Sequence, residues 1–334
     1  MKVLVTGATS GLGRNATAWL LEQGWQVRAV GRNLEAGAAL QQLGADFVSM
    51  DLGHASPEDG LRLVAGCDAV WHCAARSAPW GAAHDFHRDN VQATRMLAQA
   101  AGQQGVPRFV HISTPAVYFD FQHHLMLPES YRARRFSSHY AHSKWQAEQE
   151  ITQAVAQYPG TQWSMLRPRG LYGPHDRVIL PRLLQQLDRK RGILRLPRGG
   201  QAICDLSFVH NVVHAMHLAT TQANLPNGAV FNISDQQPRT LAEMLHQLLQ
   251  QELGLHYRIR ALPYPLLYGL ATLLEGLASV THKEPLLTRY SVGAVCFDMT
   301  LDASQARSLL GYQPRFTQQQ GIAHTAAWLR QQGF

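Results

Sequence analysis

The sequence predicts an α/β protein built on a doubly wound parallel sheet, with a smaller C-terminal part. Three observations lead to this prediction. Short β-branched and apolar runs alternate with helical segments through residues 1–165. A glycine-rich turn follows the first of these runs. The 334 residues are 46% hydrophobic and only 16% charged, which suits a large buried core and excludes a disordered chain.

The chain begins with a strand, a turn and a helix. Lys2 to Val5 is an apolar run typical of a buried parallel strand. Residues 15–22 have the apolar spacing of a helix, and residues 25–30 form the second strand. Glycines in such a turn let the backbone approach a pyrophosphate, and the N–H groups at the helix start bind it. Three glycines lie here: Gly7, Gly11 and Gly13.

Strands and helices continue to alternate after the second strand. The pattern predicts further strands at residues 46–52, 68–75 and 108–118. It predicts helices over residues 89–105 and 139–157. Alternation of this kind places all the strands in one parallel sheet.

The end of the second strand indicates which nicotinamide cofactor the turn binds. An Asp or Glu at this place would bind the free 2′-hydroxyl of NAD(H). The chain has Gly31 and Arg32 instead, and a guanidinium can pair with a 2′-phosphate. We therefore expect NADP(H) to be preferred over NAD(H). Arg14 is a second candidate phosphate partner; the alternative for both arginines is an ordinary surface charge.

Tyr140 and Lys144 lie one helical turn apart in the segment HYAHSKWQAE, residues 139–148. Side chains at this spacing share one helix face. They are either a solvated surface pair or a tyrosine whose acidity the lysine tunes. An ammonium group, together with the positive ring of an oxidised nicotinamide, favours the phenolate and lowers its pKa. The phosphate-binding turn makes the second interpretation the better one.

The motifs in this order resemble the extended short-chain dehydrogenase/reductase superfamily, also known as the NAD(P)-dependent epimerase/dehydratase superfamily. The resemblance rests on TGATSGLG (6–13), YAHSK (140–144), LRPRGLYGP (166–174) and FVHNVVHA (208–215). RSAPWG (76–81), ISTPAVYFD (112–120) and EPLLTR (284–289) are similar to the 3β-hydroxysteroid dehydrogenase-like branch. This resemblance implies a Rossmann sheet and a tyrosine that acts as the general acid–base.

The resemblance also implies roles for individual residues. The catalytic residues would be Thr114, Tyr140 and Lys144, with Ser113 as the alternative to Thr114. Asn90 would fix the backbone of the active site or a water molecule. The residues implied to bind the cofactor are Gly7, Ser10, Gly11, Leu12, Gly13, Arg32, Asp51, Leu52, Ala74, Asn90, Tyr140, Lys144 and Pro168. Weaker candidates for contact with the substrate are Trp80, Ser113 and Tyr172.

The family pattern implies two domains and a dimer. Residues 1–165, with 204–235, would bind NADP, and residues 166–203 with 236–334 would bind the substrate. Helices of residues 90–105 and 139–157 resemble those that form a four-helix dimer interface, so we expect a homodimer.

Composition limits the partners. The net charge is +7, but Lys and Arg are scattered, so we expect no nucleic-acid partner. Four cysteines show neither metal spacing nor a disulfide framework, and we expect reduced thiols and a cytoplasmic protein without an export signal. His210, His214 and His217 have partly helical metal spacing but lack an intervening Glu, so we expect no metal.

Residues 261–280 are largely apolar and carry one charge, Glu275. Pro263 and Pro265 argue against a membrane span. Three interpretations remain open: a packed helix, a lid over an apolar substrate, and a membrane-surface contact.

The function predicted from these residues is hydride transfer that interconverts a secondary alcohol and a ketone, on an apolar sterol-like or acyl substrate. The alternative is a nucleotide-sugar epimerase or dehydratase. Dehydratases carry an Asp–Glu pair after the catalytic Thr, whereas Thr114 is followed by Pro115 and Ala116. A non-catalytic NADPH-sensing module is a third possibility, which the Tyr140–Lys144 pair argues against.

Overall fold

The computed structural model describes residues 1–188, 191–281 and 283–334. A seven-stranded sheet forms its centre. The strands of the chain are β1 Lys2–Thr6, β2 Gln26–Gly31, β3 Asp46–Ser49, β4 Ala69–His72, β5 Arg108–Ile112, β6 His124–Leu127, β7 Gln162–Pro168, β8 Leu171–Tyr172, β9 Leu187–Asp188, β10 Ile193–Pro197, β11 Ile203–Cys204, β12 Ser207–Phe208, β13 Ala229–Ile233, β14 Arg239–Thr240, β15 Arg258–Leu262 and β16 Met299–Leu301.

The central sheet has the order β13-β7-β5-β4-β1-β2-β3, and every neighbouring pair is parallel. This confirms the doubly wound α/β fold. The direction in which strands are added reverses between β1 and β4, and α/β sheets bind their ligands at the carboxyl ends of such a pair. Thr6 ties these two ends together, because its hydroxyl bonds His72 Nδ1 at 2.8 Å and accepts Ala74 N–H at 3.1 Å.

Helices cover both faces of the sheet. They are α1 Gly11–Glu22, α2 Leu34–Gln42, α3 Pro57–Val64, α4 Ala83–Phe86, α5 Ala93–Gln103, α6 His139–Gln157, α7 Ile179–Gln185, α8 Val209–Thr221, α9 Leu241–Leu245, α10 Tyr264–Thr281, α11 Arg289–Ala294, α12 Ser304–Leu310 and α13 Gln318–Gln331. A π-helical turn, His87–Gln92, leads into α5.

Three strands are shorter than the sequence pattern predicted. The strand expected at 68–75 covers Ala69–His72. The other two end at polar side chains. The strand expected at 108–118 ends at Ile112, because Thr114 accepts Ala116 N–H and caps a short 3-10 turn, Pro115–Tyr118. The strand expected at 46–52 ends at Ser49, because the Asp51 side chain accepts Gly53 N–H and starts another such turn. In both places a polar side chain satisfies backbone groups that a ladder would otherwise use.

Smaller sheets lie outside the central one. They consist of β14-β11-β16-β6, β15-β10-β9 and β12-β8. The strands β6 and β16 pair although they are far apart in sequence. The C-terminal part of the chain is therefore interleaved with the N-terminal part rather than appended to it.

The apolar segment 261–280 forms the end of β15 and most of α10. One side of α10 is buried and holds Leu267, Ala271 and Ala278, while Glu275 bonds Arg289. The other side exposes Leu266, Leu270, Leu273, Leu277 and Val280. In the described part of the chain, no helix has the length and apolarity needed to cross a bilayer. The helix is therefore packed on one side only.

Candidate active site

The glycine turn has the shape of a pyrophosphate cradle. Gly7 has a φ of +66°, and a Cβ there would lie 2.9 Å from the backbone of Ala74. A Cβ on Gly13 would lie 2.3 Å from the Gly7 carbonyl oxygen. Ser10 precedes α1 without a side-chain capping bond, so its hydroxyl does not occupy the helix N–H groups. Strand β1 and α1 thus approach each other closely, and the helix N-terminus is suited to an anion; these residues fit a dinucleotide.

The end of β2 carries the residues expected to select the cofactor. Gly31 is buried beneath Thr9, and a Cβ at position 31 would lie 2.5 Å from the Thr9 side chain. Arg32 is 70% exposed, and its Nη1 lies 3.4 Å from Asp51 Oδ2. The Arg32 guanidinium is therefore held only by this weak surface contact, and it remains accessible to a phosphate.

Tyr140 and Lys144 lie in the first two turns of α6, which begins after the Ser138 cap. Lys144 is 1% exposed and donates to the Ile112 carbonyl oxygen at 2.7 Å; its Nζ is 3.2 Å from His111 Nε2. Burial lowers its pKa to about 8, against the opposing effects of Glu148 and Cys73. The ammonium is thus anchored at the carboxyl end of β5 rather than solvated on a helix surface.

The protein alone raises the pKa of Tyr140 above its usual value. Burial is the main cause, the nearby Tyr290 adds to it, and a hydrogen bond with Thr114 acts in the opposite direction. We expected Lys144 to lower this pKa, but Lys144 is not among the causes. The lysine is held by Ile112 and His111, which explains its weak influence on the phenol.

Thr114 and Ser113 have different partners. Thr114 Oγ1 accepts Ala116 N–H at 3.2 Å, which leaves its hydrogen free to be donated, and its hydroxyl acts on Tyr140 to lower the pKa of the phenol. Ser113 is 4% exposed, and its hydroxyl donates to Glu148 Oε1. Of the two hydroxyl groups, that of Thr114 is therefore the one associated with Tyr140.

Glu148 belongs to a buried polar network behind the site. Arg167 donates to both of its oxygens, at 2.7 and 2.6 Å. Arg167 also donates to the Tyr118 hydroxyl at 2.6 Å, and Tyr118 donates to Asn232 Oδ1 at 2.8 Å. The network joins β5, α6, β7 and β13, and it holds Ser113 away from the catalytic oxygens.

Asn90 connects the loop after β4 to α6. Its side chain exchanges bonds with both backbone groups of Arg76 and donates to the Ser143 hydroxyl at 2.9 Å. Ser143 donates in turn to the Tyr140 carbonyl oxygen at 2.9 Å. Asn90 therefore positions the turn that carries Tyr140, and the structure shows no direct contact of its side chain with the tyrosine hydroxyl.

The structure adds two residues to which the motifs assigned no role. Tyr290, in α11, lies close enough to Tyr140 to raise its pKa, and its ring packs on Phe119 with centroids 5.9 Å apart. Arg169 follows Pro168 at the end of β7 and interacts electrostatically with Tyr290. The two residues are 150 and 29 positions away from Tyr140, so no local spacing connects them with it.

The remaining candidates are placed as follows. Leu52 and Pro168 are buried at carboxyl ends of the sheet, and Trp80 is half-buried in the loop after β4. Tyr172 is 4% exposed, and its hydroxyl donates to Asp235 at 2.8 Å while its ring packs on Phe208. Its contacts are those of a core residue and give no support to the expected contact with substrate.

Histidines and cysteines have ordinary environments. His210, His214 and His217 lie beside the rings of Phe316, Tyr312 and Trp19. Among the described residues, no group of three or more His, Cys, Asp and Glu side chains is placed to hold a metal. The four cysteines are free thiols.

Comparison with known proteins identifies the family. The family described as NAD dependent epimerase/dehydratase matches residues 3–234. "Uncharacterized protein YbjS" of Escherichia coli K12 is 45% identical over 100% of this chain and 99% of that protein. A 4-hydroxy-2-methyl-3-oxo-4-farnesyl-3,4-dihydroquinoline-1-oxide ketoreductase of Stigmatella aurantiaca is 34% identical over 96% of this chain and 95% of its own. A 2-alkyl-3-oxoalkanoate reductase of Stenotrophomonas maltophilia is 31% identical over 98% and 99%.

Solved structures agree with the fold. The UDP-glucuronic acid 4-epimerase of Bacillus cereus, in complex with UDP-glucuronic acid and NAD, superposes with a TM-score of 0.78. The match covers 99% of this chain and 100% of that one, at 20% identity. Proteins named 3β-hydroxysteroid dehydrogenase are also among the relatives, as the motifs predicted. The chain belongs to the NAD-dependent epimerase/dehydratase family, within the extended short-chain dehydrogenase/reductase superfamily.

Proposed function

We propose that the chain is an NADP(H)-dependent oxidoreductase that interconverts a secondary alcohol and a ketone on an apolar, sterol-like or acyl substrate. The observation that carries this proposal is the position of Tyr140 one helical turn before the buried amine of Lys144, with Thr114 close enough to lower the pKa of the phenol. Two relatives are named as reductases of ketones, which supports the reaction class. One name describes a quinoline N-oxide and the other an oxoalkanoate, so the names leave the charge of the substrate open.

The residues have separate tasks in ketone reduction. The dinucleotide, when bound, supplies the hydride. Tyr140 donates a proton to the substrate oxygen as negative charge develops there. Thr114, whose lone pair already accepts Ala116 N–H, donates a second hydrogen bond to the same oxygen. Lys144 supplies a positive charge and donors at the end of β5, where the nicotinamide ribose of a bound cofactor would be held.

The raised pKa of Tyr140 is compatible with a proton donor in ketone reduction. A proton donor has to carry its proton at working pH, and burial keeps this phenol protonated well above neutrality. A tyrosine with its ordinary pKa is protonated at neutral pH as well, so the shift does not choose between ketone reduction and alcohol oxidation.

The preference for NADP(H) is supported by the absence of a carboxylate at the end of β2. Gly31 has no side chain to repel a 2′-phosphate, and Arg32 is accessible beside it. The Michaelis constants for NADPH and NADH test this, with Arg32→Ala as the variant. We expect that Arg32→Ala raises the constant for NADPH and leaves that for NADH nearly unchanged. A native preference for NADH would contradict the proposal.

We propose that substrate and cofactor are held by different parts of the chain. Residues 1–165 with 204–235 would hold NADP, and 166–203 with 236–334 the substrate. The position of Tyr290, which belongs to the second set and acts on the pKa of Tyr140, supports this division. A cytoplasmic homodimer remains our expectation for the assembled protein.

The decisive experiment measures NADPH consumption with a panel of ketones. Tyr140→Phe should lower kcat by about 10²- to 10⁴-fold while NADPH still binds, because only the proton donor is lost. Thr114→Val should lower kcat as well, whereas the neighbouring Ser113→Ala should keep most of the activity of the folded enzyme. A fully active Tyr140→Phe variant, or sugar isomerisation without net NADPH consumption, would refute the proposal.

A further inference from the structure

The amine of Lys144 has two acceptors at the carboxyl end of β5. It donates to the Ile112 carbonyl oxygen at 2.7 Å, and its Nζ lies 3.2 Å from His111 Nε2. Lys144 is 1% exposed and His111 is fully buried, so water does not replace either acceptor. A backbone carbonyl is present whatever residue occupies position 112, whereas the second acceptor depends on the histidine. The side chain at position 111 therefore decides whether a second N–H of the ammonium has a partner.

The contact with Lys144 fixes the proton of the His111 ring. An ammonium has three donors and no acceptor, so Nε2 has to accept and the ring proton lies on Nδ1. Burial and the neighbouring Lys144 lower the pKa of His111 well below its ordinary value, which keeps the ring neutral. Nδ1 is buried and has no partner among the described residues. A buried donor without a partner is costly, and an apolar side chain would avoid that cost, so the bond at Nε2 is what a histidine contributes here.

His72 is an equally buried histidine beside His111, and it has a different task. The two residues are partners across β4 and β5, and their ring centroids are 5.4 Å apart. His72 Nδ1 bonds the Thr6 hydroxyl at 2.8 Å, and its Nε2 bonds the Thr94 hydroxyl at 2.9 Å. Both nitrogens of His72 are therefore in use, and of these two rings only that of His111 bonds the amine.

The other groups that act on Lys144 are not bonded to it in the described part of the chain. Burial lowers the pKa of Lys144, while Glu148 and Cys73 act in the opposite direction. Both oxygens of Glu148 accept from Arg167, and burial raises the pKa of the Cys73 thiol to about 12, so this thiol is neutral. The direct acceptors at the amine are thus the Ile112 carbonyl oxygen and His111.

We propose that His111 is a positioning residue for Lys144: its Nε2 accepts one N–H of the ammonium and, with the Ile112 carbonyl oxygen, fixes the direction of the remaining donor. The three N–H groups of an ammonium point to the corners of a tetrahedron, so two occupied directions determine the third. This third donor remains for the nicotinamide ribose of a bound cofactor. A hydrogen bond accepted from the charged form also favours that form, so His111 helps to keep the amine protonated. The inference rests on the proposed hydride transfer and adds a residue that lies behind the lysine.

The titration of Lys144 in the full-length protein, before any cofactor is added, tests the inference. The chain has only four lysines, so ¹³C-labelled lysine gives a simple NMR spectrum, and Lys144→Met assigns the signal. We expect a pKa of about 8 for the native amine. His111→Leu should lower this pKa by about 1–2 pH units, which corresponds to one hydrogen bond to a charged group. His111→Gln places an amide oxygen near the position of Nε2 and should restore most of the difference.

Phe109→Leu is the matched control, because Phe109 is buried on the same face of β5 and packs on Trp163. It should lower the melting temperature, as a core substitution does, and leave the pKa of Lys144 within about 0.3 pH unit of the native value. An unchanged pKa in His111→Leu, or an equal shift in His111→Leu and His111→Gln, would overturn the inference.

Activity gives a second measurement. The fall of kcat/KM for NADPH at high pH should begin about 1–2 pH units lower in His111→Leu than in the native enzyme, and close to the native pH in His111→Gln. If no ketone is reduced, the proposed function is wrong, and the titration of Lys144 still decides the role of His111. If His111→Leu does not fold, ¹⁵N spectra of the native protein decide it, because a His111 proton on Nε2 instead of Nδ1 would exclude the bond from Lys144.

Discussion

Two carboxylate–arginine pairs show that the half of the molecule around the central sheet and the half around α10 and α11 are built differently. Glu148 and Arg167 join α6 to β7, and their side chains are 4% and 9% exposed. Glu275 and Arg289 join α10 to α11; the carboxylate is 10% exposed but the guanidinium is 48% exposed. Both pairs have a contact of 2.6 Å, so distance alone does not distinguish them.

The difference lies in what surrounds each pair. The first is part of a network with Ser113, Tyr118 and Asn232, which fixes four elements of the sheet half. The second has a further bond from Arg289 N–H to Glu275 Oε1, and Tyr268 also acts on the guanidinium, beneath a helix whose outer side is apolar. The sheet half holds the catalytic groups in fixed positions, whereas the α10 region leaves one surface without a protein partner among the described residues.

Arg167→Met tests the first pair and should have the largest effect. Removing the guanidinium leaves the Glu148 carboxylate buried and uncompensated, so we expect the free energy of unfolding to fall by about 3–5 kcal/mol. Urea denaturation of the purified variant measures this loss. In the double variant Glu148→Leu with Arg167→Met no charge remains buried, and much of the stability should return.

Arg289→Met is the matched comparison in the other half. Solvent already screens this arginine, and Glu275 can recruit water, so the loss should be about 1 kcal/mol. Equal losses of unfolding free energy in Arg167→Met and Arg289→Met would mean that the network around Arg167 adds no rigidity. The two halves would then not differ in the way described.

The titration of Lys144, in the sheet half, should make both activity and stability depend on pH. Its buried amine titrates near pH 8 in the folded protein and near 10.5 when unfolded. Above about pH 8 the ammonium is lost, and kcat/KM for NADPH should fall roughly tenfold per pH unit. The same group binds fewer protons folded than unfolded, so its contribution to stability rises with pH between 8 and 10.5.

Activity should fall with pH while stability rises, so a loss of activity caused by the lost charge can be distinguished from one caused by unfolding. A urea titration at each pH gives the stability, and steady-state kinetics give the activity. An activity that stays constant from pH 7 to beyond 9 would contradict the role of the Lys144 ammonium.

The smallest effect is expected at Leu273, on the outer side of α10. This side chain is 69% exposed, so Leu273→Gln should change the free energy of unfolding by no more than about 0.5 kcal/mol. Leu267→Ala, on the buried side, is the comparison and should cost about 2–5 kcal/mol. A large loss of unfolding free energy in Leu273→Gln would show that the outer side of α10 is covered in solution.

The features that could be predicted from the sequence are those that depend on residues close together in the chain. The glycine turn and the Tyr140–Lys144 pair depend on spacings of a few residues, so their placement could be predicted. Glu148 and Arg167 meet only because α6 packs against β7, and no periodicity reports this contact. Tyr290 approaches Tyr140 through the packing of α11, which lies 150 residues later.

The ends of two strands and the buried side of α10 could not be predicted from the pattern of neighbouring residues either. Thr114 and Asp51 stop their strands with side-chain bonds, which override an apolar run. The residues of α10 are almost all apolar, so their pattern does not indicate which side is buried. Only the position of Glu275, opposite Arg289, determines it.

The close packing of Gly31 under Thr9 limits how an acidic side chain, the residue type that binds the 2′-hydroxyl of NAD(H), could arise at the end of β2. An acidic residue at position 31 places a Cβ 2.5 Å from the Thr9 side chain. Shortening Thr9 to Gly or Ala has to come first, because Ser would keep an oxygen in the place of Thr9 Oγ1, and that step confers no new specificity by itself. Descendants of this chain would therefore cross a neutral intermediate, and the order of the two mutations is set by sterics rather than by selection for the cofactor.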